Sequence, residues 1–200
     1  MVRHKPRDFD KQVDNLLEQT NGMESITAIV KRREWEPVLL ARGAAVTSYN
    51  REQDSALTKR LSDLYPGKLT VAGGWPKEIA ATDCLVLDTV PNGETVYANL
   101  TMFATKVTKR IILHATKLHG NNGEQGVGMF QGLTRWLKEN PEWAVVDHNE
   151  TQFGLTTLSR EADRRKPLPG ILTKAANFAK AMAAHVASGM QPATEEQADI

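Results

Sequence analysis

A single cysteine in 200 residues, Cys84, rules out a disulfide framework or a cysteine-rich metal centre built within this chain. Its place inside an apolar run makes it a small buried hydrophobe. Long hydrophobic runs are also missing, so no stretch is suited to cross a bilayer. The start, MVRHKPRDFDKQVDN, has basic residues but no apolar segment behind them, which leaves a cytoplasmic location as the expectation. Charge of one sign is scarce too. A formal net charge of +1, with acids and bases interspersed, makes no field that calls for nucleic acid or an anionic membrane. The basic runs at 31–33 and 160–166 read as solvated loop charge, with a phosphate-bearing ligand on 31–33 as the lesser alternative.

What is present is a hydrophobic content of 40%, enough for one well-buried core, and a regular alternation of short apolar runs with helical spacing. Phe9, Val13, Leu16 and Leu17 predict a leading amphipathic helix that ends at Asn21 and Gly22. Residues 26–30 form a β-branched strand. Residues 35–42 form a helix with Pro37 in its first turn and Gly43 after its end. A strand at 45–49, a helix at 52–64 and, after the Pro66-Gly67 turn, a strand at 69–72 continue the pattern.

Strands at 84–87 and 111–113 each run directly into a polar residue, Asp88 and His114. Between them Val96, Leu100, Phe103, Ala104 and Val107 recur at helical spacing, so the segment reads as strand, crossover helix, parallel strand. An open α/β sheet places its chemistry at the carboxyl ends of its strands, so one unit aims Asp88 and His114 at one crevice. A glycine-rich polar loop, 116–128, follows as a candidate lid or binding loop. A helix at 129–139 and two strands, 143–146 and 153–158, close the pattern. The polar link 147–152 is too short for a crossover, so the last two strands pair as an antiparallel hairpin.

Five strands in βα alternation, then a helix and a terminal hairpin, predict a doubly wound, mostly parallel Rossmann-like α/β sheet. In order along the chain, DCLVLDT (83–89), RIILHAT (110–116), GEQGVGMFQGL (123–133), NPEWAVVDH (140–148) and FGLTTLSR (153–160) resemble class I S-adenosylmethionine-dependent methyltransferases, in a branch similar to cephalosporin hydroxylase-like proteins. The resemblance spans about 26–160 and is most specific in its carboxyl half. With the helical spacing at either end, the chain is expected to divide into a leading helix over 1–22, a methyltransferase-like domain over 23–165 and a helical tail with a disordered end over 166–200.

The resemblance also implies site residues. The loop after the first strand lies on the cofactor, which places Val30, Lys31, Arg32 and Trp35 there, without the glycines that let a backbone approach closely. Asn50 stands where an acid usually meets the ribose hydroxyls, and Gly74 and Trp75 stand near the adenine. Asp88 and His114 would flank a small-molecule or sugar hydroxyl, with His114 either a general base or a histidine that caps its strand and bonds the loop backbone. Relatives that bind a divalent cation carry an acid where Ala115 stands, so no metal is expected. His119, His148 and Glu124 read as polar loop residues. Two functions stay open: methyl transfer to a small-molecule or sugar oxygen, or a catalytically inactive fold kept as a binding or interaction module. After the break PLPG at 167–170, the tail predicts an alanine-rich helix at 172–188, with Phe178, Ala181, Met182 and Val186 on a face that could dock on the domain or pair two copies, and then a disordered end. The tail also resembles a connector in longer proteins, so the chain reads as a fragment or as a shortened form.

Overall fold

The computed structural model describes residues 6–31, 33–50, 54–124 and 126–160. The tail helix expected at 172–188, and any pairing of copies through it, lies outside them. A seven-stranded sheet in the order β3-β2-β1-β4-β5-β7-β6 carries the fold. Its strands are β1 (Ser25–Val30), β2 (Ala45–Asn50), β3 (Leu69–Gly73), β4 (Thr82–Asp88), β5 (Val107–His114), β6 (Trp143–Asn149) and β7 (Leu155–Arg160). The first five pair in parallel, and β7 runs antiparallel to both β5 and β6. This is the expected doubly wound sheet with its terminal hairpin.

Alternating side chains split the core in two. Cys84, Val86 and Ile112 join Leu16, Trp35, Leu39 and Leu40 in the cluster beneath helices α1 (Pro6–Gln19) and α2 (Glu36–Leu40). Leu85, Leu87, Ile111 and Leu113 join Leu100, Phe103, Leu133 and Trp136 beneath α4 (Gly93–Phe103) and α6 (Met129–Glu139). Each such fully buried aliphatic side chain contributes about 1.5–3 kcal/mol. Helix α3 (Ser55–Leu64) is capped by Asp54, whose carboxylate accepts the backbone N–H of Leu57. The βα alternation lapses once, because residues 74–81 link β3 to β4 with no helix. The helix expected at 35–42 is shorter than its spacing suggested: a 3-10 turn, Arg33–Trp35, precedes only five α-helical residues.

The glycines of 116–132 are packing residues more than hinges. A Cβ on Gly132 would stand 1.9 Å from the Gly93 carbonyl oxygen, so α4 and α6 cross backbone to backbone. A Cβ on Gly128 would meet the backbone of Gly120 and Asn121 at 2.3 Å. The loop is pinned besides by Gly93 N–H to the Val127 carbonyl, Glu124 N–H to the Pro91 carbonyl and Phe130 N–H to the Gly120 carbonyl. A short helix, α5 (Thr116–His119), occupies its start.

Candidate functional site

The strand register builds the site. Val30 pairs with Asp88 across β1 and β4, and Leu87 pairs with Leu113 across β4 and β5, so the next residues, Asp88 and His114, stand side by side at the carboxyl edge. His114 Nδ1 lies 2.8 Å from Asp88 Oδ1, and both residues are buried. An ionised carboxylate can only accept, so Nδ1 is the nitrogen that presents its hydrogen to Asp88, which leaves Nε2 as the ring nitrogen facing away from the pair. That Nε2 is buried and has no hydrogen-bond partner. The indole of Trp35 meets the imidazole edge-on at 5.2 Å between ring centroids, and Phe153 meets it from another side at 5.8 Å. Ala115 follows at φ 64°, a left-handed conformation that costs a residue with a Cβ about 1–2 kcal/mol.

The neighbouring half of the same edge is assembled differently. Arg33, which its basic run suggested as solvated charge, is 5% exposed and forms a forked pair with Glu36, which is fully buried. Arg33 Nη2 and Nε donate to Glu36 Oε2 at 2.6 and 2.9 Å. Its Nη1 donates to the Asp54 carbonyl at 2.6 Å and to Thr58 Oγ1 at 2.8 Å. Glu36 Oε1 also accepts from Ser48 Oγ at 2.5 Å and from Asn50 Nδ2 at 3.2 Å. A buried charge persists only when paired and hydrogen-bonded in this way. The proline at the first turn of α2 and the acid before it look like an ordinary helix start, so nothing local marks Glu36 as a core residue.

The residues expected around a cofactor are therefore dispersed among different tasks. Val30 is core, and Trp35 is 1% exposed against His114. Asn50 is turned into the Glu36 network. Lys31 reaches outward to Glu124 at 3.5 Å, an exposed pair between the β1 loop and the glycine-rich loop. Gly74 donates its N–H to the Asn50 carbonyl, and Trp75 is 42% exposed. Arg32 lies outside the described residues. Asp88 and His114 are brought together as the strand ends suggested. The residues missed were Glu36 and Ser48, and the one signal for Ser48 was a polar residue at a core-facing position of β2.

Further along, His148 Nδ1 pairs with Thr156 Oγ1 at 2.8 Å, and Thr156 in turn donates to Thr116. Burial holds the His148 imidazole below its usual pKa, against the opposing pull of Glu150 and Asp147. Among the described residues no three of His, Cys, Asp and Glu gather in a metal-binding arrangement. No described helix is long and apolar enough to cross a membrane.

No family model and no curated protein matches the sequence. Solved structures do match the fold. N-methyltransferase NodS from Bradyrhizobium japonicum WM9 superposes with a TM-score of 0.59 at 8% identity, over 78% of this chain and 98% of that one. Magnesium protoporphyrin IX methyltransferase from Synechocystis PCC 6803, with bound S-adenosylmethionine, gives 0.58 at 13% identity, over 77% and 80%. An O-methyltransferase from Bacillus cereus in complex with S-adenosylhomocysteine gives 0.55 at 13% identity, over 79% and 82%.

Proposed function

We propose that this chain is a methyltransferase-like protein that does not operate S-adenosylmethionine: a binding module that keeps the class I methyltransferase sheet, with the Asp88–His114 crevice as its small-molecule site. The observation that carries this reading is the Arg33–Glu36–Ser48–Asn50 network, with Trp35 beside it. In this fold the cofactor lies over the ends of β1 and β2, and there the chain has turned its own side chains inward and tied them to one another. The residues do not fit the cofactor. A ligand group that drew Arg33 or Asn50 to itself would leave the buried Glu36 carboxylate short of donors, a cost of about 3–5 kcal/mol for a broken buried pair. Isothermal titration and thermal shift with S-adenosylmethionine and S-adenosylhomocysteine at millimolar concentration test it. Neither heat nor stabilisation is expected. Saturable binding with a micromolar Kd overturns the reading, since a ligand far above its Kd must raise the melting temperature.

A second reading is favoured by one observation, the unpartnered Nε2 of His114. A hydroxyl placed on that nitrogen would lose its proton to a neutral imidazole, the base that methyl transfer to a small-molecule or sugar oxygen needs, while Asp88 steadies the imidazolium so formed. Cofactor binding that survives His114→Asn, together with methyl transfer that does not, would select this reading.

A further inference from the structure

At the opposite edge of the sheet from Asp88 and His114 lies a cleft of about 260 Å³ between the ends of α4 and α6 and the hairpin strands β6 and β7. Trp136, Trp143 and Leu100 supply apolar wall, Thr101 and Thr105 lie along α4 and the turn after it, and three charged residues line it: Arg160, Glu139 and Glu142. The Arg160 guanidinium carbon sits 5.3 Å over the Trp143 ring. Its Nε is buried with no hydrogen-bond partner, and no carboxylate of the described residues comes within ion-pair distance of it. A guanidinium over an indole, with its buried Nε–H unspent, is positioned for a planar anion such as a carboxylate.

The two acids decide what else the ligand must carry. Glu139 is already engaged, accepting from the Tyr97 hydroxyl at 2.6 Å and lying 3.7 Å from Arg135 Nε. Glu142 is exposed at the mouth of the cleft. A simple anion would pair with Arg160 but face two carboxylates, and a simple amine would face Arg160. A molecule with both charges satisfies each end. We propose that this cleft binds a small zwitterion, an amino acid with an apolar side chain: carboxylate on Arg160, ammonium toward Glu142, side chain along the indole and leucine wall. The volume suits a ligand of that size and is below that of drug-sized pockets.

The four tryptophans make the test direct. Trp136 and Trp143 line the cleft, Trp35 borders the Asp88–His114 crevice, and Trp75 lies beyond β3, so four indole N–H signals in an NMR titration of the full chain report location. With L-leucine or L-phenylalanine to tens of millimolar, saturable shifts of the Trp136 and Trp143 signals are expected, while those of Trp35 and Trp75 hold. 4-Methylpentanoate and isopentylamine, each lacking one charge, should bind at least about tenfold more weakly than leucine, the worth of one modest charged contact. Arg160→Gln and Glu142→Gln should each weaken leucine by a similar factor. Glu142 is exposed, so its variant tests the site even where the Arg160 variant folds poorly. Absence of shifts with both amino acids, equal binding of a singly charged analogue, shifts confined to Trp35, or indifference to Glu142→Gln would each overturn the proposal. His114→Asn should leave this binding unchanged, so failure here is separable from failure of the crevice reading.

Discussion

The two halves of the sheet's carboxyl edge have solved the same problem in opposite ways. Both bury ionisable side chains at strand ends. On the β1–β2 side Arg33 spends its fork on Glu36, and Ser48 and Asn50 fill the remaining acceptor capacity of that carboxylate, so the charges are consumed within the chain. On the β4–β5 side Asp88 pairs with His114 Nδ1, and the buried Nε2 is left without a partner. A closed network contributes to the fold and has nothing further to offer a ligand. A buried ring nitrogen without a partner is an unfinished bond, and it is the observation on which the proposed small-molecule site rests.

The sharpest way to break this contrast is to open the closed half. Arg33→Met leaves a carboxylate buried against two weak donors and should cost about 3–5 kcal/mol. Adding Glu36→Leu removes the stranded charge and should recover most of that loss, because a buried pair and a packed apolar pair of like volume are often near equal. Urea unfolding of the wild type, the single and the double variants measures both steps. A single variant that loses less than about 1 kcal/mol would mean that water already reaches Glu36 and that the half is not closed.

Asn50→Asp sharpens the contrast from another direction. In an open cofactor site an acid at this position would face a ribose. Here it would set a second carboxylate against Glu36, where Asn50 Nδ2 now stands 3.2 Å from Oε1. The pair cannot both ionise, so about 2–3 kcal/mol should be lost at neutral pH. The sign with pH follows from proton counting. The folded state holds on to a proton that the unfolded state releases near pH 4, so stability relative to wild type is nearly intact below that pH and falls as pH rises. A variant as stable as wild type at pH 7 would show that the end of β2 is open after all.

The open half was legible because its geometry follows from periodicity. Apolar runs ending in Asp88 and His114, joined by a helix of crossover length, can hardly be arranged except as parallel neighbours with those residues adjacent. The closed half was not legible, because its decisive contacts join residues whose local settings are ordinary. Glu36 resembles a first-turn acid, Arg33 part of a basic loop, and Ser48 a tolerated polar residue in a strand. Only the tertiary approach of α2 to β2 makes them one network. The glycine-rich loop was misleading in the reverse sense. Gly120, Gly123 and Gly128 look like flexibility in sequence, yet each stands where a side chain would strike backbone.

Ala115 offers the finest probe of the open half. Its φ of 64° is one that residues with a Cβ adopt at a cost and that glycine, asparagine or aspartate adopts more readily. It joins His114 to Thr116, whose hydroxyl is bonded by Thr156, so the strained turn is anchored on the side away from the imidazole's partner Asp88. Ala115→Gly relieves the strain but adds freedom to the unfolded chain, and the two leave a net stabilisation of about 0.5–1 kcal/mol. If the turn positions the ring, the His114 side-chain NMR signals should broaden or shift in this variant even as the melting temperature rises. A more stable protein with an unchanged imidazole would assign the orientation of His114 to Asp88 alone, and the strain at Ala115 would then be incidental to the crevice.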